Sequence, residues 1–393
     1  MNRPPRIYLD NAATSWPKPE AVYVAVEHAM RDLGAAAGRG VYREAIEAER
    51  LVAQTRLAAA RLVDCPDPAS VIFTANGTDS LNLALHGLLR PGDHVVTSTI
   101  EHNSVLRPLR FLEQTRDVAV TWVEADREGF VDPDAIRQAI RPQTKLIVLI
   151  HVSNVSGAIQ PVEEVGRIAA EHELGYLVDA AQSVGHLPFS MKQIGAQLVA
   201  APGHKGLFGP LGTGLLWVAP AWHRQLQPQR QGGTGSESQL DTQPETWPDR
   251  FESGNLNVPA IAGLRAGLAY LEQEGWEAIR HHEQQLLGQL IEGLSQQPGI
   301  TIHGPRDGNR RCGVVSISVD GYDPQEVAAM LEVAANIQVR SGLHCAPGAH
   351  RALGTLEQGG TVRFSVGPDN TREQIESVVE QMGQIAATTF STD

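Results

Sequence analysis

The chain has 393 residues, 42% of them hydrophobic, enough to bury a large core and to build more than one structural unit. A formal charge of −13 with no basic cluster argues against a nucleic-acid partner, and no run of about 18 apolar residues offers a membrane span. The opening MNRPPRIYLDNAATS has no apolar segment of signal-peptide type, and the three cysteines (Cys65, Cys312 and Cys345) are far apart with no C-x-x-C pair, so a reducing cytoplasm without disulfides or a metal site is expected.

In chain order, residues 17–64 read as helical, and Tyr42–Val63 is rich in Ala, Glu and Arg with apolar residues at helical spacing. From residue 70 the texture changes to short β-like runs separated by helical stretches: VIFT (71–74), HVVTSTI (94–100), VAVTWVE (118–124), KLIVLIHVS (145–153), GYLVDA (175–180), QLVAAP (197–202) and GTGLLWV (212–218). Several are apolar throughout, as strands covered on both faces must be, so the expected architecture is α/β with a mostly parallel seven-stranded sheet. After the Gly-rich QGGTGSES (231–238) a helical pattern runs from Pro259 to Gln296. A smaller α+β unit follows, with VVSISV (314–319), IQVRSG (337–342), TVRFSV (361–366) and a last helix that Thr371 and Gln374 open at capping-box spacing. The expected division is a large domain over 16–255 and a small domain over 256–393 that includes residues 1–15.

In open α/β sheets ligands gather beyond the carboxyl ends of the strands, where the chemically unusual residues of this chain fall. In QLVAAPGHKGLFGP an apolar strand runs into Gly203-His204-Lys205-Gly206. A lysine partly withdrawn from water there is nucleophilic and suits a Schiff-base role toward pyridoxal phosphate, although a lysine at a loop tip is the plainer reading of this stretch alone. Asp179 ends the apolar strand of GYLVDAAQSVG, and a buried carboxylate needs a partner. A protonated pyridine nitrogen is one partner, with Gln182 three residues on; a helix N-cap is the alternative. Asn76-Gly77-Thr78 leads from a strand into a helix whose N–H groups suit phosphate, with an ordinary cap as the alternative. His102 ends another strand, where a ring can stack on a flat cofactor or move a proton, and Asn154 in HVSNVSG can donate to a phenolic oxygen.

With YLDNAATS (8–15), TANGTDSLN, EHNS, VDAAQSVGH, GHKGLFGPLGTG, RFESGNLN (250–257), RSGLHCAPG and TVRFSVGPDNTREQIE in this order, the chain resembles the class V aminotransferases, pyridoxal-phosphate enzymes of fold type I, and within them the cysteine desulfurase branch. The resemblance implies that Lys205 binds the cofactor and then shuttles protons. It gives Asp179 the pyridine nitrogen, Asn154 and Gln182 the O3′ side, His102 the ring face, and Gly77, Thr78 and His204 the phosphate. Thr234 in GGTGS matches a residue contributed by a partner subunit, which implies a homodimer. Arg363 matches the arginine that binds the substrate carboxylate, with Asn154 and Ala12 beside the substrate. Cys345 matches the nucleophile that takes sulfur from L-cysteine as a persulfide, leaving L-alanine, for delivery to an acceptor protein and iron–sulfur cluster assembly.

Gly342, Pro347 and Gly348 mark an exposed loop around Cys345, and Arg340 and His344 are placed to favour its thiolate. Two departures stand out: Pro202 takes the place of a phosphate-binding Ser or Thr, and Asp79 that of the commoner Glu. Alternatives to the desulfurase are a cystine or cysteine C–S lyase, a selenocysteine lyase, a class V aminotransferase, or a scaffold that kept the fold and lost catalysis.

Overall fold

The structure is a computed structural model and describes residues 4–38 and 40–389. The strands of the first half are β1 (Ile7–Tyr8), β2 (Val71–Thr74), β3 (His94–Ser98), β4 (Ala119–Val123), β5 (Thr144–Ile150), β6 (Gly175–Asp179), β7 (Leu198–Pro202) and β8 (Gly214–Val218). The second half adds β9 (Ile300–His303), β10 (Val314–Val319), β11 (Ile337–Gln338), β12 (Arg340–Gly342) and β13 (Thr361–Ser365). The helices up to the main sheet's last strand are α1 (Glu20–His28), α2 (Arg43–Leu62), α3 (Gly77–Leu88), α4 (Asn103–Thr115), α5 (Pro133–Gln138), α6 (Val162–Glu171) and α7 (Met191–Ile194). Beyond it lie α8 (Val258–Glu274), α9 (Trp276–Ser295), α10 (Pro324–Ala335), α11 (Pro347–Leu353) and α12 (Arg372–Thr389).

The seven apolar runs form one sheet in the order β2-β8-β7-β6-β5-β3-β4. Only β8 runs against its neighbours β2 and β7; the other pairings are parallel. Strands β6, β7 and β8 are buried along their whole length, which is why they carry no polar alternation. Their parallel register sets Ile150 beside Asp179 and Asp179 beside Ala200, so the carboxyl ends of β5, β6 and β7 open onto one edge.

The second half builds an antiparallel sheet, β12-β13-β10-β9, covered by α9, α10 and α12. The N-terminal strand β1 pairs in parallel with β11, and Ile7 and Leu9 join the core of this half. Thr371 and Gln374 exchange backbone and side-chain hydrogen bonds at the start of α12, closing the expected capping box.

Two expectations are corrected. The helical pattern 259–296 is two helices, because Gly275 at φ +77 breaks it between α8 and α9. Ile261, Leu264, Leu268 and Leu271 of α8 and Ile279 at the start of α9 bury into the large sheet's core, and Leu286, Leu287, Leu290 and Leu294 further along α9 bury into the second core. Likewise IQVRSG is not one strand. Its first two residues serve β1 and the last three serve β13, which leaves Arg340 at the head of a strand facing the edge of the large sheet.

Candidate active site

A cavity of about 210 Å³ lies at that edge, walled by Ala12, Asn76–Thr78, His102, Asn154, Asp179, Gln182, Pro202, His204, Lys205, Arg340 and Arg363 among others. Each polar group reaches it from a strand end or a helix start. Asn76 caps α3 by accepting the Asp79 N–H at 2.9 Å, so α3 opens toward the cavity at Gly77 and Thr78. Thr78 Oγ1 meets Ser104 Oγ at 2.7 Å. His102 caps α4 with Nδ1, which accepts the Ser104 N–H at 3.1 Å; a neutral ring in this role carries its proton on Nε2. Burial first, then the Lys205 charge, lowers the His102 pKa to about 4, so the ring is neutral.

Asp179 ends β6 and Oδ1 accepts the Ala181 N–H at 3.0 Å. Burial raises its pKa, an effect opposed by that hydrogen bond and by Lys205. The Lys205 amine is drawn out of water by the surrounding protein, which lowers its pKa to about 8; Asp179 works against the shift, and Arg363 and Arg340 add to it. A lysine so tuned is part free amine near neutral pH, the form that attacks a carbonyl carbon.

Arg363, on the buried strand β13, donates Nη1 to the Asn154 carbonyl at 3.1 Å and Nη2 to Asp10 Oδ1 at 2.6 Å, while its Nε has no partner among the described residues. Arg340 Nη2 lies 3.4 Å from Cys345 Sγ, within hydrogen-bonding reach of the sulfur. The sequence reading of the Cys345 turn needs correction in two respects. His344 is no cation: burial, then the charge of Arg363, lowers its pKa to about 2, and its Nε2 is engaged with Thr361 Oγ1 at 3.0 Å. Nor is the turn an exposed loop throughout: His344, Ala346 and Gly348 are buried and Cys345 is half-buried. His344 and Cys345 both hold left-handed φ values of 49° and 60°, Asn154 Nδ2 donates to the His344 carbonyl at 2.6 Å, and the Asn103 N–H donates to the Cys345 carbonyl at 2.7 Å. Gly348 serves close packing, since a Cβ there would lie 1.8 Å from the Thr99 carbonyl oxygen.

The sequence profile described as "Aminotransferase class-V" matches residues 7–378. The chain belongs to the class-V aminotransferase family. A relative from Methanothermobacter thermautotrophicus named "Probable cysteine desulfurase" is 38% identical over 389 residues, covering 97% of this chain and 94% of the relative. One of the same name from Pyrococcus abyssi is 34% identical, covering 94% and 92%. The solved apo structure of a cysteine desulfurase from Thermococcus onnurineus NA1 superposes with a TM-score of 0.92 at 35% identity, over 98% of this chain and 95% of that one. The Escherichia coli cysteine desulfurase CsdA gives 0.86 at 25%, over 97% and 94%.

Members of the class-V aminotransferase family use pyridoxal phosphate, and the cavity suits it. Three buried polar atoms that face no protein partner, Asn154 Oδ1, His204 Nδ1 and Arg363 Nε, belong to residues lining it. Buried polar atoms in that condition call for a ligand or water. The donor set also suits it: an amine and a carboxylate from the strand ends that form the floor, a helix start and two guanidinium groups all line the same cavity.

The cavity brings together all the expected residues on its walls except two. Cys345 stands behind Arg340 rather than on the lining, and Thr234 lies in a separate recess with Gly235, Ser236 and Asp249. Gln182 is present but its Nε2 is committed to the Ala12 carbonyl at 2.9 Å. Pro202 packs against the α3 start, where a Cβ on Gly77 would come within 3.1 Å of its ring, and contributes no donor. Sequence reading assigned no role to Asp10, although it sits in the quoted YLDNAATS; nothing local signals that a residue before the first turn will pair with an arginine on the thirteenth strand.

Proposed function

We propose that this chain is a pyridoxal-phosphate-dependent cysteine desulfurase that converts L-cysteine to L-alanine and takes the sulfur as a persulfide on Cys345. The observation that carries the reading is the contact between Arg340 and Cys345 at the edge of the cavity that holds Lys205, Asp179 and Arg363. The cofactor supplies, when bound, an electron sink that makes the α-hydrogen of an attached amino acid acidic. The residues of the chain do the rest. Asp179 would hold the sink's ring nitrogen in its charged form, and His102, a neutral imidazole on the same lining, would pack against the cofactor. Arg363 takes the substrate carboxylate in a two-toothed grip, with Asp10 yielding one of its bonds. Lys205, about half free amine near pH 8, accepts the α-proton and later returns a proton to carbon.

The Cys345 sulfur, in contact with Arg340, attacks the substrate sulfur. The new S–S bond forms as the C–S bond breaks, and the electron pair left on carbon is protonated to give alanine. No outside oxidant is needed, because the carbon of the broken C–S bond keeps the electron pair and is reduced to C–H, which balances the oxidation of the two sulfurs joined in the persulfide. The persulfide then passes to an acceptor thiol.

The partner-subunit role of Thr234 is part of the same proposal. It is supported by the position of Thr234 away from its own chain's cavity and by the exposed Tyr23, Met30, Tyr42 and Ile46 on α1, the turn after it and the start of α2, which a second copy would cover. No helix among the described residues is long and apolar enough to cross a membrane, and a cytoplasmic setting is part of this reading.

The deciding experiment measures alanine and sulfide from L-cysteine with wild type and Cys345→Ala. The desulfurase reading expects both products to vanish in the variant while cofactor absorbance is retained. Persistent turnover would instead select a C–S lyase or a transaminase on the same cofactor.

A further inference from the structure

Lys18, in TSWPKP, lies outside the cavity lining but ends on its backbone. Its Nζ donates to the His204 carbonyl at 2.7 Å and to Ser15 Oγ at 2.8 Å. That carbonyl also accepts the Ser15 N–H at 3.1 Å, Thr14 Oγ1 at 3.1 Å and Ser15 Oγ at 3.2 Å. A carbonyl oxygen has two lone pairs, which the Ser15 N–H and the Thr14 hydroxyl can fill while Ser15 Oγ gives its one hydrogen to the Lys205 carbonyl at 3.0 Å, so hydrogen-bond need alone does not call for an ammonium there.

The ammonium is also costly. Burial lowers the Lys18 pKa to about 8, which means that the fold disfavours its charged form. None of the charged groups around it offsets this among the described residues. Glu27, which shares its groove, is bonded to Arg31 at 2.6 Å; the Tyr23 hydroxyl accepts only the Lys18 backbone N–H; and His204 is kept neutral. A cation kept in place at such a cost has a use elsewhere.

His204 is the link. Its ring lines the cavity with Nδ1 unpartnered among the described residues, and burial, then the charge of Lys205, then that of Lys18 lower its pKa to about 4. The cavity end formed by Gly77, Thr78, Pro202 and His204 offers N–H groups, a hydroxyl and a neutral imidazole. The cations on the lining are Lys205 at the floor and Arg340 and Arg363 on the Cys345 side. A phosphate dianion beside His204 meets neutral donors, and the charges that bear on that ring are those of Lys205, the amine that the cofactor's aldehyde would engage, and of Lys18.

We propose that Lys18 is a positioning residue for the cofactor phosphate, holding His204 through its carbonyl and adding positive charge behind that ring. The inference rests on the pyridoxal-phosphate reading above. It assigns Lys18 to recognition of a phosphate dianion, not to the chemistry at the amine.

The test compares equilibrium binding of pyridoxal 5′-phosphate and of pyridoxal, which lacks the phosphate, to the cofactor-free full chain. Wild type, Lys18→Met, Lys18→Gln and Lys18→Arg are used, with the cofactor-free melting temperature of each. Lys18→Met and Lys18→Gln are expected to bind pyridoxal phosphate about tenfold more weakly, the effect of one lost charge-assisted contact. Their affinity for pyridoxal stays at the wild-type value, their melting temperature is unchanged or higher, and Lys18→Arg recovers most of the loss. Should Lys18→Met not fold, the Gln and Arg variants carry the comparison. Equal losses for both ligands, or unchanged pyridoxal-phosphate affinity with a lower melting temperature, would make Lys18 a structural residue and overturn the inference alone. A wild type that binds neither ligand would overturn the cofactor reading and the inference with it.

Discussion

The floor of the cavity and its Cys345 wall are fixed by different means. Asp179 and Lys205 stand at or just beyond the ends of adjacent parallel strands, and Gly77 and Thr78 open a helix three residues beyond another, so sheet register alone aims them at one point. The Cys345 turn belongs to the second half of the chain and is fixed by groups from the first. Asn154 grips the His344 carbonyl, Asn103 grips the Cys345 carbonyl and Thr99 abuts Gly348, all of which hold two non-glycine residues in left-handed backbone. Such conformations persist only when the surroundings impose them. A floor set by topology can be altered one side chain at a time; a wall set by remote clamps fails as a unit.

The largest effects come from removing the reacting group on each side. Lys205→Ala is expected to lower alanine formation from L-cysteine by at least about 10³-fold with loss of covalent cofactor absorbance. Cys345→Ala is expected to lower it as far while the absorbance survives, and that divergence separates floor from wall. Next, Arg363→Lys keeps the charge but loses the two-toothed grip. It should raise KM for L-cysteine by about 10- to 100-fold, read from initial rates, with a smaller change in kcat.

Gly348→Ala tests the wall as a unit. Its Cβ would strike the Thr99 carbonyl, so urea unfolding should show a loss of about 1–3 kcal/mol, and persulfide formation should fall while cofactor binding does not. A pH series then probes the floor alone. Because burial lowers the Lys205 pKa to about 8, the rate of covalent cofactor loading onto the cofactor-free protein should climb as pH rises through that value and level off above it, as more of the amine loses its proton. The smallest effect belongs to His344→Gln. With a ring already neutral, the pH profile of kcat between about pH 6 and 9 should keep its shape.

The seven-stranded sheet and the floor were legible because their signals are local: apolar runs of strand length, each ending in a polar residue or a glycine turn. The wall was not. RSGLHCAPG reads as an exposed loop because its glycines and proline are turn formers, yet Gly348 is there for contact with Thr99 and His344 is buried against Thr361. The α8–α9 break was masked by one glycine inside a continuous helical pattern. The assignment of α8 to the first core depends on packing against α1 and α2, which periodicity does not encode. Asp10 and Lys18 escaped notice for the same reason, since their partners, Arg363 and the His204 carbonyl, lie at the other side of long sequence gaps.

The other two cysteines set the control for the central claim. Cys312 is buried, which pushes its thiol pKa far up, and burial raises that of Cys65 as well, so neither is poised as a nucleophile. Peptide mass spectrometry after a single turnover of L-cysteine, with thiols alkylated before digestion, reads the sulfur directly. The account predicts one added sulfur atom on the peptide that carries Cys345 and none on those of Cys65 and Cys312. Alanine formed with Cys345 unmodified, or sulfur found on either of the other two, would contradict it.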